Sequence, residues 1–372
     1  MHFSILLLLL CVPMGIILKY YGDTNQMRKI YIFSFFSCLT ILSVIRSLNV
    51  GPDTEGYYIL AQEIHYDSWR SLWRETVMRY LHNTGDSDMG YYMFVKCLQL
   101  ISTNFDFLSV VACAFYLIPL GKLIYRYTTN MSQILFSFVL YSVLFPVNTV
   151  SPNRQLFATG FCILALLALS DGKFIKSVLL ILVGSLFHQT ALVFLAIPCV
   201  VRFVPRWVKK MHLLSFFFIP VSILYASQIL LLMSSAVGND RYAAYADTSN
   251  SGGGIVFSVL LEVMSIFCYF GIKKEQIESD RRLLILYAMT PFFTVLGPLI
   301  MQDGAMIRLS KYFHLYLMML VPLAIENVFN KDSIKTAYGI LIIALILMTV
   351  TQTGGLVFEP YWNDPYIHDV AY

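Results

Sequence analysis

Apolar runs about as long as a bilayer is thick constrain this chain more than any other feature of its sequence. A helix needs roughly 17–25 predominantly apolar residues to cross the hydrocarbon core of a membrane. Twelve segments approach or reach that length, and they predict an all-α polytopic membrane protein, a single integral membrane domain over residues 1–372. The predicted spans are residues 3–20, 30–44, 106–121, 132–150, 155–169, 177–187, 190–204, 213–233, 255–271, 283–301, 309–329 and 337–350. The segment 177–187 is short for a full span and needs flanking residues to complete it.

Composition excludes a soluble globular enzyme. Hydrophobic residues make up 58% of the chain and charged residues 13%, whereas a soluble domain has about 45–50% apolar and about 25% charged residues. About twelve helices leave little chain for an extramembrane domain. The sequence also lacks a P-loop, a Rossmann glycine pattern, an HExxH motif and a histidine ladder, so it predicts no cofactor, no bound metal and no nucleic-acid partner.

The distribution of basic residues predicts an orientation. When the loops between the twelve spans are assigned to alternate sides, 17 of the 26 Lys and Arg residues lie on one side. Cytoplasmic loops are enriched in Lys and Arg, so this side is predicted to be cytoplasmic and both termini to be extracytoplasmic. Counting residues 90–102 as a further span would remove the bias. That stretch, with Lys96 in its middle, is therefore predicted to be an interfacial or re-entrant helix.

Three of the segments predicted to lie on the outward side stand out. The longest is the loop 46–105, whose Trp69, Trp73 and several tyrosines favour contact with the membrane interface and therefore interfacial helices. The second is the glycine-rich loop 234–254, which contains the flexible sequence SGGG. The third is the tail 351–372.

Four arginines lie at span boundaries on this predicted outward face: Arg46, Arg154, Arg241 and Arg308. An arginine keeps its charge at all accessible pH values and offers a planar fork of donors that fits phosphate oxygens. A single interfacial arginine is often only a snorkelling contact to lipid headgroups. Four of them, on the face where the positive-inside rule discourages basic residues, favour a site for an anionic ligand.

Histidine and acidic residues on the same face are candidates for proton transfer. His188 lies at the outward end of a span, and its side chain exchanges a proton near neutral pH, although a helix-end histidine is also a common cap. Asp53 and Glu55 follow Arg46, and either carboxylate could pair with that arginine or accept a proton from a hydroxyl group. An ordinary turn at Gly51 accounts for the glycine and the proline of this segment, but it does not account for the two acids. Weaker candidates are Asp88, Asp303 and the intramembrane Glu262, for which a structural role is equally open.

A set of short motifs extends over most of the chain. They are Arg46 followed by Gly51, Asp53, Thr54 and Tyr57; Asp88-Met-Gly-Tyr91; Arg154-Gln155; His188-Gln-Thr-Ala-Leu192; Arg241-Tyr242; and Arg308 with Tyr312. Each motif alone is short and degenerate. As an ordered set with this hydropathy, they resemble the EpsG-type membrane proteins of bacterial exopolysaccharide clusters, which are related in role to Wzy-type oligosaccharide repeat-unit polymerases.

The resemblance implies a metal- and nucleotide-independent glycosyltransferase with a GT-C-like fold at the outer face of the bacterial cytoplasmic membrane. It would transfer a growing glycan from undecaprenyl diphosphate to the non-reducing end of a lipid-linked repeat unit, giving O-antigen, capsule or exopolysaccharide. The implied partners are the undecaprenyl-diphosphate-linked oligosaccharide, the lipid bilayer, and a flippase and a chain-length regulator of the same pathway.

The resemblance, together with the outward arginines, also suggests roles for particular residues. As a hypothesis, Arg154, Arg241 and Arg308 bind diphosphate and stabilise charge on the leaving group. His188 or Asp53 is the base that deprotonates the acceptor hydroxyl. Further substrate contacts are expected from Arg46, Gln155 and Tyr242.

Three other functions stay open at the level of sequence. A flippase or transporter for the same lipid-linked oligosaccharide should place charges along the membrane depth and often shows repeat symmetry, and neither feature is visible here. A different membrane transferase, such as a ligase, a glycosyltransferase using a polyprenyl-phosphate sugar or an acyltransferase, would differ in its acceptor. A non-catalytic scaffold would tolerate single substitutions of the outward arginines.

Overall fold

A computed structural model describes residues 2–51, 53–82, 88–150, 154–237, 255–301, 306–351 and 356–363. Over these ranges the chain is helical, and its extended pairing is limited to two isolated bridges, His2 with Val357 and Arg46 with Pro360. The bridges attach the segment after the last helix to the start of the first helix and the end of the second.

The described residues form the following α-helices. They are α1 Phe3–Tyr20, α2 Asn25–Ile45, α3 Thr54–Tyr66, α4 Trp69–His82, α5 Met89–Leu98, α6 Phe105–Tyr127, α7 Met131–Leu144, α8 Arg154–Ser170, α9 Phe174–Phe187, α10 Ala196–Phe203, α11 Val208–Leu224, α12 Ala226–Val237, α13 Ile255–Gly271, α14 Lys274–Ser279, α15 Arg281–Tyr287, α16 Thr290–Leu296, α17 Ile307–His314, α18 Leu317–Val328 and α19 Lys331–Thr351. Short 3-10 helices occupy Pro146–Thr149, Gln189–Leu195, Pro205–Trp207, Gly297–Met301 and Tyr361–Asn363.

The described part of the chain contains six helical stretches long and apolar enough to cross a membrane. These are Phe3–Tyr20, Asn25–Ile45, Phe105–Tyr127, Pro205–Leu224, Arg281–Met301 and Asp332–Val350. Shorter apolar helical stretches, such as Arg154–Ser170 and Ile255–Gly271, coincide with the other predicted spans. The architecture is therefore all-helical with several candidate spans, as expected of a polytopic membrane protein. The total of twelve spans and the GT-C-like arrangement remain predictions.

Prolines interrupt several segments that the hydropathy pattern treats as continuous. The stretch predicted as 283–301 is divided into α15, α16 and a 3-10 turn, with Pro291 in the first turn of α16. The stretch predicted as 132–150 is helical only to Leu144, because Pro146 follows and disfavours helical geometry in the residue before it. Non-helical backbone at membrane depth is tolerated where it is buried in protein or lines a polar cavity.

The described residues of the predicted outward loop 46–105 form three helices, α3, α4 and α5. The stretch around Lys96, expected to be interfacial or re-entrant, forms α5, which has 10 residues. At 1.5 Å per residue such a helix is about 15 Å long, which is half the thickness of a bilayer core. Lys96 donates from Nζ to the carbonyl oxygens of Ile64 and His65 at the end of α3, so α5 is fastened to another helix of the same loop.

Two groups of polar contacts lie at opposite ends of the helices. At one end, Asp23 between α1 and α2 accepts from the backbone N–H of Met131 at 3.0 Å, and Arg126 near the end of α6 pairs with Asp171 after α8 at 2.7 Å. Arg154 begins α8, so it lies at the other end of that helix. We call these the Arg126 end and the Arg154 end. The charge bias predicts that the Arg126 end is cytoplasmic.

Helices α6 and α8 pack closely at Gly160. A Cβ atom added at Gly160 would lie 2.8 Å from the carbonyl oxygen of Phe115 and 2.7 Å from its Cδ1 atom. Because backbone cannot move away as a flexible side chain does, only glycine fits there without shifting one helix. This contact sets the separation of α8 from α6, and α8 carries Arg154 at its start.

We expect Gly160→Ala to destabilise the protein by about 1–3 kcal/mol, the usual cost of overpacking a close-packed interior. The measurement is the midpoint of thermal unfolding of the purified protein in detergent. Gly339→Ala in α19 is the matched control, because no atom of the described residues lies within 4 Å of an added Cβ there and alanine is the better helix former. Equal midpoints for the two variants would contradict the packing argument.

Candidate functional site

A cluster of charged and polar side chains lies at the Arg154 end. It joins residues far apart in sequence, from the start of α3, the residue before α5, the start of α8, the end of α9 and α17. We call it the Arg154 cluster, and its members are Asp53, Tyr57, Asp88, Arg154, His188 and Arg308.

Asp88 is the centre of one half of this cluster. Its Oδ2 atom lies 3.2 Å from Arg154 Nη1 and 3.2 Å from His188 Nδ1. Its Oδ1 atom accepts from the backbone N–H of Gln189 at 3.3 Å. The Asp88 side chain is only 7% exposed, so this ion pair is screened by water far less than a surface pair would be.

The end of α9 places His188 against Asp88. His188 has an extended backbone conformation, φ −159° and ψ 113°, and its N–H donates to the carbonyl oxygen of Gly184 at 3.1 Å. The chain then turns directly into the 3-10 helix Gln189–Leu195. Nδ1 of the ring faces Asp88, so Nε2 is the ring nitrogen available to a ligand. A carboxylate on Nδ1 fixes the imidazole orientation and favours the proton on that nitrogen.

Tyr57 of α3 holds the other side of the Arg154 guanidinium. Arg154 Nε donates to Tyr57 Oη at 3.2 Å, and the guanidinium carbon lies 5.7 Å from the centre of the Tyr57 ring, within the range of a cation–π interaction. Burial raises the pKa of the Tyr57 phenol, and the neighbouring Arg154 cation partly offsets that rise. The phenol therefore stays protonated at neutral pH and keeps a hydrogen to donate.

The second half of the cluster is the pair formed by Asp53 and Arg308. Arg308 Nη2 lies 3.1 Å from Asp53 Oδ2 and 3.4 Å from Oδ1. Both side chains are partly exposed, so the pair contributes little to stability and can rearrange around a ligand. The side-chain amide of Gln155 donates to the backbone carbonyl of Arg308, which ties the start of α8 to α17.

Lys311 adds a third cation that the sequence analysis did not select as a site residue. It lies one helical turn after Arg308 in α17, its side chain is buried, and it interacts electrostatically with Arg308 and Asp53. The i, i+3 spacing places both basic side chains on one face of the helix. This spacing is the sequence feature that could have identified Lys311 as a site residue. Asp88, which had only a weaker case in the sequence, connects Arg154 to His188.

Arg46 is also buried, but its contacts lie elsewhere. Burial lowers its pKa to about 10, while the nearby Cys113 and Asp106 counteract that effect, so it stays cationic at neutral pH. Among the residues that the structure describes, its Nε and Nη2 atoms have no hydrogen-bond partner. Its backbone forms the bridge to Pro360. Among the described contacts, none connects Arg46 to the Arg154 cluster.

The remaining candidates are placed as follows. Arg241, Tyr242 and Asp303 lie outside the residues that the structure describes. Glu55 is exposed on α3. Glu262 is buried in α13, and neither carboxylate oxygen has a hydrogen-bond partner within the described part of the chain. Within the described ranges, no group of three His, Cys, Asp or Glu residues could hold a metal ion.

Fold and site together define a class: a helical, multi-pass membrane protein with a charged cluster at one end of its helices. The EpsG family matches residues 29–358 of the chain. The chain therefore belongs to the EpsG family, an exopolysaccharide-related membrane polymerase family, and the resemblance drawn from its motifs is confirmed. Neither the curated proteins nor the solved structures include a match to this chain.

Proposed function

We propose that the protein is a polysaccharide polymerase that transfers a growing glycan from undecaprenyl diphosphate to the non-reducing end of a lipid-linked repeat unit. The reaction takes place at the outer face of the bacterial cytoplasmic membrane, at the Arg154 cluster. The observation that carries this proposal is the double contact of Asp88 with Arg154 and His188, because it places an anion-binding side chain and a candidate base beside each other.

The charge of the described cluster suits a diphosphate. Arg154, Arg308 and Lys311 supply three cations, and Asp53 and Asp88 supply two carboxylates. Among these five side chains, the cations outnumber the carboxylates. The exposed Asp53–Arg308 pair can open, so that Arg308 binds phosphate oxygens in place of the carboxylate. Charge-assisted hydrogen bonds from such donors lower the activation free energy most when they are directed at the charge that develops on the leaving group.

His188 is better placed than Asp53 to act as the base. Both carboxylate oxygens of Asp53 face Arg308, whereas His188 uses only Nδ1 for Asp88. In the proposed step, His188 Nε2 takes the proton of the acceptor hydroxyl and the hydroxyl oxygen attacks the anomeric carbon. The bond from that carbon to the diphosphate breaks, and the diphosphate leaves with the electron pair. Asp88 stabilises the imidazolium that forms.

The remaining substrate contacts are assigned by the same proposal. Gln155 borders the cluster through Arg308 and is suited to sugar hydroxyls. Arg241 and Tyr242 are expected to contact the substrate from the loop 234–254. Arg46 has two guanidinium nitrogens without a partner among the described residues, and it is expected to contact an anionic group of the substrate at a separate position. The flippase alternative is less well supported, because the described arginines of the site gather at one end of the helices.

The experiment that tests the function is deletion of the gene in its own host, followed by size separation of lipid-linked oligosaccharides and surface glycans. We expect single repeat units in place of a polymer ladder, and restoration of the ladder when the wild-type gene is returned. A full ladder that lacks only a terminal modification would indicate a modifying transferase. Lipid-linked units trapped at the cytoplasmic face would indicate a flippase. Either result would overturn the proposal.

A further inference from the structure

An open groove runs along the junction of α2 and α6 on the outer surface of the helical bundle. Its volume is 540 Å³, and apolar side chains form most of its lining. Phe33 on α2 is 74% exposed and Ile118 on α6 is 58% exposed, so no other part of the described chain covers the rim. In a protein that spans a membrane, such a surface faces lipid tails.

Gly121 forms part of the floor of this groove. An added Cβ would lie 3.0 Å from Ile32 and 3.2 Å from Phe36, so α2 and α6 are in close contact at Gly121 and a larger residue would push them apart. Ala114 and Ser37 are further small residues in the lining. Small residues at a helix interface allow backbones to approach, and beside this close contact the described side chains leave the groove open.

The groove has two basic residues at one end. Lys29 and Lys122 both line it and both are exposed. Lys29 Nζ lies 5.3 Å from the centre of the Tyr125 ring, which places these residues at the Arg126 end. Among the described contacts, neither ammonium group has an acidic partner, whereas the nearby Arg126 is paired with Asp171. An apolar channel with two uncompensated cations at one end is complementary to an amphiphile with an anionic head.

The dimensions fit one lipid leaflet. From Lys29 to Ile41, the groove follows α2 for about 18 Å at 1.5 Å per residue. Half of a bilayer core is about 15 Å thick. An acyl chain lying between α2 and α6 would therefore extend from the membrane surface at the lysines to about the middle of the membrane.

We infer that this groove is a binding site for an anionic phospholipid. One acyl chain lies between α2 and α6, and Lys29 and Lys122 bind the phosphate. The substrate carrier is a poorer fit, because the lysines lie at the opposite end of the helices from the Arg154 cluster. Basic pockets between transmembrane helices on the cytoplasmic side are known to bind anionic headgroups, and the charge bias predicts that the Arg126 end is cytoplasmic.

Native mass spectrometry of the purified full-length protein tests this inference, with phosphatidylglycerol and phosphatidylcholine as probes. We expect the wild type to retain phosphatidylglycerol in preference to phosphatidylcholine. The double variant Lys29→Gln, Lys122→Gln should bind phosphatidylglycerol roughly thirtyfold more weakly, because each lysine near an anionic lipid surface contributes about a factor of five. Ala114→Phe, which fills the groove and keeps the lysines, should also abolish the preference.

The matched control is Lys173→Gln, Lys176→Gln, which removes two exposed lysines before and within the first turn of α9. It should retain the wild-type preference. Unchanged phosphatidylglycerol binding in the Lys29, Lys122 variant, or in Ala114→Phe, would show general contact with surrounding lipid and overturn the inference. Displacement of phosphatidylglycerol by an equal amount of undecaprenyl phosphate would assign the groove to the prenyl carrier and would also overturn it.

Discussion

Arg154→Ala is expected to lower polymer yield by roughly 100- to 1,000-fold, the loss typical of removing one donor that stabilises a leaving anion. The gene is returned to the deletion host, and the polymer ladder is compared with that of the wild type. Arg154 is only 14% exposed and holds Asp88 at 3.2 Å. Its loss leaves a buried carboxylate without its cation, so the amount of protein in the membrane must be measured as well.

A second variant separates charge from geometry at this position. Arg154→Lys keeps a cation for Asp88 but loses the planar fork that fits phosphate. We expect it to reach the membrane at the wild-type level and still give a strongly shortened ladder. Arg70→Ala, which removes an exposed arginine of α4, is the control and should give a normal ladder. Unchanged polymer length and yield in Arg154→Ala would remove Arg154 from the site.

His188→Gln is expected to reduce polymer formation by about 100- to 10,000-fold, the range of effects for the loss of a general base. Glutamine retains hydrogen bonding to Asp88 but cannot accept a proton from the acceptor. Asp88→Asn should also reduce the rate, because it removes the charge that stabilises the imidazolium. The readout is the rate of chain extension in membranes supplied with lipid-linked repeat units.

Two further variants identify the base. Asp53→Asn breaks the exposed pair with Arg308 but leaves His188 in place, so we expect a smaller loss than in His188→Gln. His65→Gln alters an exposed histidine of α3 and should extend chains at the wild-type rate. If Asp53→Asn abolished extension while His188→Gln preserved it, the base would be Asp53.

Hydropathy and charge were sufficient to predict the helical membrane class, because burial of backbone polar groups in lipid leaves few alternatives to helices. The motifs around Arg154, His188 and Arg308 were also sufficient to indicate the family. The helix breaks inside the predicted spans were harder to predict from the sequence. Pro146 and Pro291 are visible in the sequence, but prolines are tolerated within transmembrane helices, and Pro13 and Pro119 lie inside intact helices here.

Only the tertiary structure decided which of the candidate side chains lie together. The sequence placed Arg46, Arg154 and Arg308 on one outward face. In the structure, Arg154 and Arg308 join a common cluster, whereas Arg46 lies beside Cys113 and Asp106. The sequence ranked Asp88 below Asp53, although Asp88 contacts both Arg154 and His188 across 66 and 100 positions of the chain. The hydropathy pattern identifies the helix to which a residue belongs, and the charge bias of the loops identifies the side of the membrane on which the residue lies. Which residues on one side of the membrane become neighbours depends on how the helices pack side by side, at contacts such as the one between Gly160 and Phe115.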